Sequence, residues 1–226
     1  MSTAFMYSWA QRPDTLVVDE PLYGYYLKHT GIVHPGDDEV MKSMDCNKES
    51  VVAQMSAGVY GKPIVFLKHM AHHMVDVDYT LLAPMHNLIF IRNPRQVLAS
   101  YSEIIRNPVS DDVGIEKQYA LYQYAKEKGH KVWVLDSGVL LKNPKAVLQK
   151  LCDEMEIPFY ENMLYWEAGA RLEDGVWATH WYQNVHRSTG FAPQKDDDRD
   201  LPKHLKPLCN RLEPIYERLL GKSIQV

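Results

Sequence analysis

Cysteine is scarce in this chain: Cys46, Cys152 and Cys209 are the three in 226 residues, far apart and without a paired spacing. That excludes a disulfide framework and a zinc-ligand pattern, and fits a reduced compartment. Long apolar runs are missing too, none approaching the ~18 residues that span a bilayer. The first residues lack a basic flank followed by an apolar stretch, so no secretory leader is expected and a cytoplasmic location is. Basic residues are not in excess. Lys and Arg number 25 against 29 Asp and Glu, a formal net charge of −4, which argues against nucleic acid or a membrane surface as a partner. There is no Gly-x4-Gly-Lys-Ser/Thr loop, which a phosphoryl-transferring kinase would need, and no internal repeat.

What is present is an ordinary globular composition, 46% apolar and 24% charged, long enough for one domain spanning residues 1–226. Short apolar runs alternate with helical patterns. Leu16–Val18, Ile64–Leu67, Leu88–Ile91 and Val132–Leu135 read as strands. Ala4–Arg12, Leu22–His29, Val51–Tyr60 and about Pro202–Leu220 read as helices. Asp111 and Asp112 are expected to cap a helix carrying Ile115, Tyr119, Tyr122 and Ala125, closed by Gly129. A further helix carries Val147, Leu148, Leu151, Cys152 and Met155, with Cys152 as a small buried hydrophobe. The alternation predicts an α/β fold with a mainly parallel sheet. Asp196–Asp200 is expected to be a solvated loop.

Residues 88–101 are the most informative. The strand Leu88–Ile91 runs into Arg92, then Asn93 and Pro94 read as a helix cap and first helical position. Val97, Leu98, Tyr101, Ile104 and Ile105 follow at helical spacing, with Ser100 eight residues beyond Arg92. An arginine fork and a hydroxyl beside one strand-to-helix turn can grip a phosphate. The plainer reading is an exposed Arg and a helical Ser bonded to its own backbone.

Here the chain resembles the sulfotransferase superfamily, whose donor is 3′-phosphoadenosine-5′-phosphosulfate (PAPS). Arg92, Asn93, Pro94, Ser100 and Tyr101 match that family's 3′-phosphate segment. The order from Asp136 through Asn143-Pro144 to Ile157-Pro158-Phe159 is similar to the sequence after its fourth parallel strand. The resemblance implies a three-layer α/β/α fold of the P-loop nucleotide-binding type. It also implies PAPS as co-substrate, a hydroxyl or amine on a small-molecule acceptor, and no metal.

The family carries Lys-Thr-His after its second buried strand, with the His as base. This chain has Lys68-His69-Met70-Ala71-His72-His73, so Lys68 falls in the Lys place and Met70 where the His would be. The resemblance implies that Lys68 steadies developing charge and that His69 or His72 is the base. His69 is favoured as nearest the strand end. A zinc reading of His69, His72 and His73 lacks the Glu of a His-Glu-x-x-His motif.

Ser2 and Thr3 match the hydroxyls that open the family's phosphosulfate helix, where backbone N–H groups hold the 5′-phosphosulfate. A plain N-cap is the alternative. The family's first strand and basic turn are absent, which is expected to mean a truncated sequence rather than a lost central strand, since losing that strand would expose two edges. Glu20, in Asp19-Glu20-Pro21, could orient an acceptor, or could cap the helix at Leu22–His29. Val185–Phe191 looks like a shortened form of the family's phosphate loop, with Arg187 on the 3′-phosphate and Ser188 or Gly190 as backbone donor, followed by Lys195. Trp177, Trp181 and Tyr182 could line an acceptor pocket or fill core. The reading is a PAPS-dependent sulfotransferase. The competing one is a non-catalytic binding module that has lost its phosphosulfate loop.

Overall fold

The computed structural model describes residues 1–58, 60–103, 105, 107–192 and 201–226. Ile104 of the expected helical stripe, Val59 within Val51–Tyr60, Lys195 and the Asp196–Asp200 loop lie outside the described residues. In chain order the elements are α1 (Ser2–Ala10), β1 (Thr15–Asp19), α2 (Tyr23–Thr30), α3 (Asp37–Ser43), α4 (Lys48–Ala57), β2 (Ile64–Lys68), β3 (Asn87–Ile91) and α5 (Pro94–Tyr101). There follow α6 (Ser110–Val113), α7 (Ile115–Glu127), β4 (Val132–Asp136), α8 (Ser137–Lys142), α9 (Pro144–Glu154), α10 (Ala178–Trp181), α11 (Gln183–His186) and α12 (Lys206–Leu220). The mixture of helices and parallel strands is the α/β class expected. No helix among the described residues is long and apolar enough to cross a membrane.

The chain forms two compact units, Met1–Asp78 with Phe159–Ala192, and Tyr79–Pro158 with Pro193–Val226. In the first, β1 pairs β2 in parallel, with Thr15 opposite Ile64 and Asp19 opposite Lys68. Both strands therefore end together, and their last residues, Asp19 and Lys68, are buried. Helix α1 is apolar almost all round, and Thr3 to Trp9 are all buried. Phe5 meets Phe66 edge-on at 5.8 Å and Trp9 stacks on Phe66 at 5.2 Å, joining the helix to β2. Arg12 closes this end: its guanidinium lies over Trp9 and Tyr160 and bonds Asp14 through two nitrogens at 3.0 Å.

In the second unit β3 pairs β4 in parallel, with Asn87 opposite Val132 and Ile91 opposite Asp136. Ile91 and Val134 pack with Ile115, Leu212, Tyr216 and Leu219 from α7 and α12. Asn93 caps α5 as its position predicts, its side-chain oxygen accepting from the Arg95 N–H at 2.9 Å. The helix ends at Tyr101, so Ile105 lies beyond it. The acidic pair does not cap α7. Asp112 accepts from the Val109 N–H at 2.7 Å and starts α6 instead. Gly114, at φ 73°, then breaks the chain before Ile115, a conformation that glycine adopts without strain. Cys152 is buried in α9.

Asp136 ties this unit together at the end of β4. One carboxylate oxygen caps α8 through the Gly138 and Val139 N–H groups at 2.8 and 3.0 Å. The other accepts from the buried Tyr216 hydroxyl at 3.0 Å. Asp136→Ala removes the cap and leaves that hydroxyl unpaired, so we expect a loss of about 2–4 kcal/mol in urea unfolding. A loss below about 1 kcal/mol would refute this role.

Candidate functional site

The carboxyl ends of β1 and β2 carry the densest charge in the first unit. The Glu20 N–H donates to the Lys68 carbonyl at 2.9 Å, continuing the ladder one residue past the strand. Its own carbonyl accepts from the Tyr23 N–H at 2.9 Å, which turns the chain into α2. This turn holds Glu20 at φ 46°, a left-handed conformation that costs a non-glycine residue about 1 kcal/mol or more. The strain aims the Glu20 side chain back over the strand ends.

Lys68 receives it. The lysine is 4% exposed, and its ammonium meets Asp19 Oδ1 at 2.8 Å, Glu20 Oε1 at 2.5 Å and the Tyr182 hydroxyl at 2.6 Å. Three acceptors match the three N–H donors of an ammonium. The Tyr182 hydroxyl in turn donates to Asp19 Oδ2 at 2.7 Å and accepts from Trp177 Nε1 at 3.1 Å. Burial works against the Lys68 charge, but Glu20, Tyr182 and Asp19 outweigh it and hold the ammonium well above the ordinary lysine value. With two carboxylates to one cation, burial raises the Asp19 carboxyl, and Lys68 opposes that only in part. The Tyr182 hydroxyl is driven up by burial as well.

Three histidines lie beside this cluster. His73 is 2% exposed and stacks on Tyr23 at 4.6 Å, nearly parallel, with Tyr26 also at 4.6 Å. Its Nδ1 faces Glu20 Oε2 at 3.7 Å, too long for a hydrogen bond. Burial pushes its imidazole well below the usual histidine value. His72 is half-buried, edge-on to Tyr26 and to His73. His69 is half-buried as a residue, but its Nδ1 is enclosed without a hydrogen-bond partner. Burial lowers it to about 4.

Glu20, Lys68 and the three histidines are thus brought together. Glu20 does not cap α2, which starts at Tyr23 without a side-chain cap bond, because its carboxylate is bound to Lys68. Ser2 and Thr3 form the first turn of α1 in the same unit. Arg187 is exposed at the end of α11, bonded to Asn184 at 2.7 Å. The Ser188 hydroxyl donates to the Val185 carbonyl at 2.6 Å and accepts from Trp166 Nε1 at 3.0 Å, and its N–H is taken by the same carbonyl. Gly190 pairs with Tyr165 in a single bridge, where a Cβ would meet the Leu164 carbonyl at 2.8 Å. In the second unit, Arg92 follows β3 with its Nε 3.4 Å from Gln96, and Ser100 lies half-buried near the end of α5. From the sequence Tyr182 is a pocket-lining or a core aromatic. Nothing local marked it as the lysine's partner, 114 residues away.

Removing Lys68 strands two buried carboxylates. Lys68→Met should cost about 3–5 kcal/mol, while Tyr182→Phe, which keeps the ion pairs, should cost about 1–3 kcal/mol. Chemical unfolding reads both, and a Lys68→Met chain as stable as the parent would refute the assignment. A pH effect follows from His69. Its folded-state value of about 4 lies below 6.5, so between those limits the unfolded chain binds more protons. Stability is therefore full above pH 6.5 and falls as pH drops through that window, by up to ~3 kcal/mol. Asp19 acts in the opposite sense, so the comparison is with His69→Gln, in which the Asp19 contribution cancels. The fall should be shallower in the variant, and equal slopes would refute it.

Comparison with known proteins adds the family. The sulfotransferase domain family matches residues 1–214. Two proteins of Arabidopsis thaliana, branched-chain-amino-acid aminotransferase-like proteins 1 and 2, are 40% and 37% identical over 97% of this chain. The chain spans 40% and 39% of their respective lengths. Among solved structures, the sulfotransferase domain from the Synechococcus PCC 7002 olefin synthase superposes with a TM-score of 0.57 at 13% identity, covering 96% of this chain and 90% of that one. The fold is that of a sulfotransferase domain, and the chain belongs to the sulfotransferase domain family.

Proposed function

We propose that the chain transfers a sulfuryl group from PAPS to a hydroxyl or amine of a small-molecule acceptor. The carrying observation is the Asp19–Glu20–Lys68–Tyr182 cluster, buried at the carboxyl ends of two parallel strands where ligands of α/β folds bind. The cluster holds two carboxylates against one ammonium, so it suits a proton-bearing acceptor better than an anionic donor. Glu20 Oε2 is the oxygen left to take an acceptor hydrogen bond. Lys68 acts through Glu20, fixing its position, and balances charge as the reaction develops. His69 stays neutral at pH 7 and adds a polar edge beside it.

The anionic donor falls to other groups. Ser2 and Thr3, with the first N–H groups of α1, would hold the phosphosulfate. Arg92 with Ser100, and Arg187, are the phosphate ligands that the family resemblance implies, each taken within its own unit. The aminotransferase-like name belongs to relatives of which this chain covers about two-fifths, whereas the family match covers the chain nearly end to end.

The test is thermal stability with and without the desulfated product, 3′-phosphoadenosine-5′-phosphate. At a hundred times its Kd, a ligand of the folded state adds about 2.7 kcal/mol. The parent chain should shift and Arg92→Ala should not. A folded chain that shows no shift would overturn the nucleotide reading.

A further inference from the structure

A second set of titratable groups in the first unit lies beside the lysine cluster. The Asp174 carboxylate, 5% exposed, accepts from the Tyr7 hydroxyl at 2.7 and 2.8 Å, from the Arg171 N–H at 2.9 Å and from His186 Nε2 at 2.9 Å. Tyr7 is fully buried on α1, and burial together with Asp174 pushes its hydroxyl far up, so it remains a donor. The Arg171 guanidinium lies over the Tyr7 ring at 5.2 Å but pairs with Glu173 at 2.7 Å. The side-chain nitrogen that reaches the Asp174 carboxylate is thus Nε2 of His186.

His186 has the opposite setting on its other side. Its side chain is 21% exposed, and its Nδ1 has no hydrogen-bond partner among the described residues. Because the carboxylate accepts at Nε2, the proton of the neutral ring sits there and the Nδ1 lone pair is left bare. A histidine with one nitrogen fixed on a buried carboxylate and the other open is the geometry of a general base whose cation is stabilised as it forms. Pinning the loop to α1 would need only Tyr7 and the Arg171 N–H. It does not call for a half-open imidazole.

One contact and one helix face relate the pair to the residues described above. The His186 ring stands edge-on to Tyr182 at 6.2 Å, the tyrosine that binds Lys68 and Asp19. Tyr7 and Thr3 are four residues apart on α1 and so share a face of that helix, putting Asp174 on the side that carries Thr3. The groups facing His186 are Asp174, Tyr182 and, behind Asp174, Tyr7 with the Arg171–Glu173 pair. Arg187, next in the chain, turns to Asn184.

We propose that His186, oriented by Asp174, is the general base of the sulfuryl transfer, a role that rests on the function proposed above. The acceptor O–H bond breaks and its proton passes to Nδ1 of His186. The oxygen electron pair forms the new O–S bond, and the S–O bond to the 5′-phosphate breaks with its pair leaving on the phosphate. Asp174 stabilises the imidazolium until solvent takes the proton. His69, with its Nδ1 enclosed, is not the base in this scheme, and Asp174 is a positioning residue.

The test uses the full chain with PAPS as donor and 2-naphthol as probe acceptor, after binding of 3′-phosphoadenosine-5′-phosphate has been measured by thermal shift. His186→Gln should lower kcat at least 100-fold with nucleotide binding unchanged. Asp174→Asn should lower kcat with the acceptor KM and nucleotide binding unchanged. Imidazole nitrogen NMR should show His186 protonated at Nε2 in the parent chain, a signature a structural bond alone does not need to couple to rate. Nucleotide binding without any turnover, turnover retained in His186→Gln, or a larger loss in His69→Gln each overturns the base. If the nucleotide does not bind, the function proposed above fails and the base role falls with it. If the nucleotide binds, a proton found on Nδ1 overturns the base role alone.

Discussion

A single buried ammonium organises the first unit. Lys68 sits at a depth where a lone charge would be untenable, and its three donors are met by Asp19, Glu20 and Tyr182. Much of the local geometry answers to that demand. The parallel register brings Asp19 and Lys68 level at the strand ends. The left-handed backbone at Glu20 turns a second carboxylate onto the same nitrogen. Tyr182 draws the segment after Trp177 onto the strands, and Trp177 holds the tyrosine oxygen from behind. Charge, backbone strain and long-range contact meet in one small volume, as functional sites in rigid scaffolds often require.

The contrast with the second unit is instructive. There, polar side chains at strand-to-helix and helix-to-helix junctions do the ordinary work of capping. Asn93 caps α5, Asp136 caps α8 and Asn143 caps α9. At the end of β1 the same kind of residue is withheld. Asp19 and Glu20 precede a helix, yet α2 begins without a side-chain cap bond because both carboxylates turn to Lys68. At Asn93, Asp136 and Asn143 a polar side chain serves the helix that follows it, whereas at Asp19 and Glu20 two carboxylates serve a buried cation instead.

The charge balance also divides labour within a sulfotransferase domain. Under the function proposed above, a cluster with an excess of carboxylate would repel a phosphosulfate, leaving the donor to arginine, hydroxyls and helix N–H groups. The carboxylates would then serve a neutral, proton-bearing acceptor. A histidine backed by a buried aspartate would belong on the acceptor side of that division. Its Nε2 is held by that carboxylate, whereas His69 and His73 are made weaker bases by burial.

The sequence by itself determined the strands, the start of α5 and the family. Leu16–Val18, Ile64–Leu67, Leu88–Ile91 and Val132–Leu135 are apolar runs whose burial is a local matter, and Asn93-Pro94 states its cap in two adjacent residues. It also marked Lys68, His69 and Glu20 as chemically interesting. Local pattern failed at Asp111 and Asp112, where Gly114 splits what hydrophobic spacing alone would join. Only the tertiary structure decided what the marked residues touch. Lys68 with Tyr182, and Asp174 with Tyr7 and His186, are pairings across long stretches of chain. No periodicity encodes such contacts, because the free energy that selects them comes from desolvating charges together, and that exists only once the chain has folded.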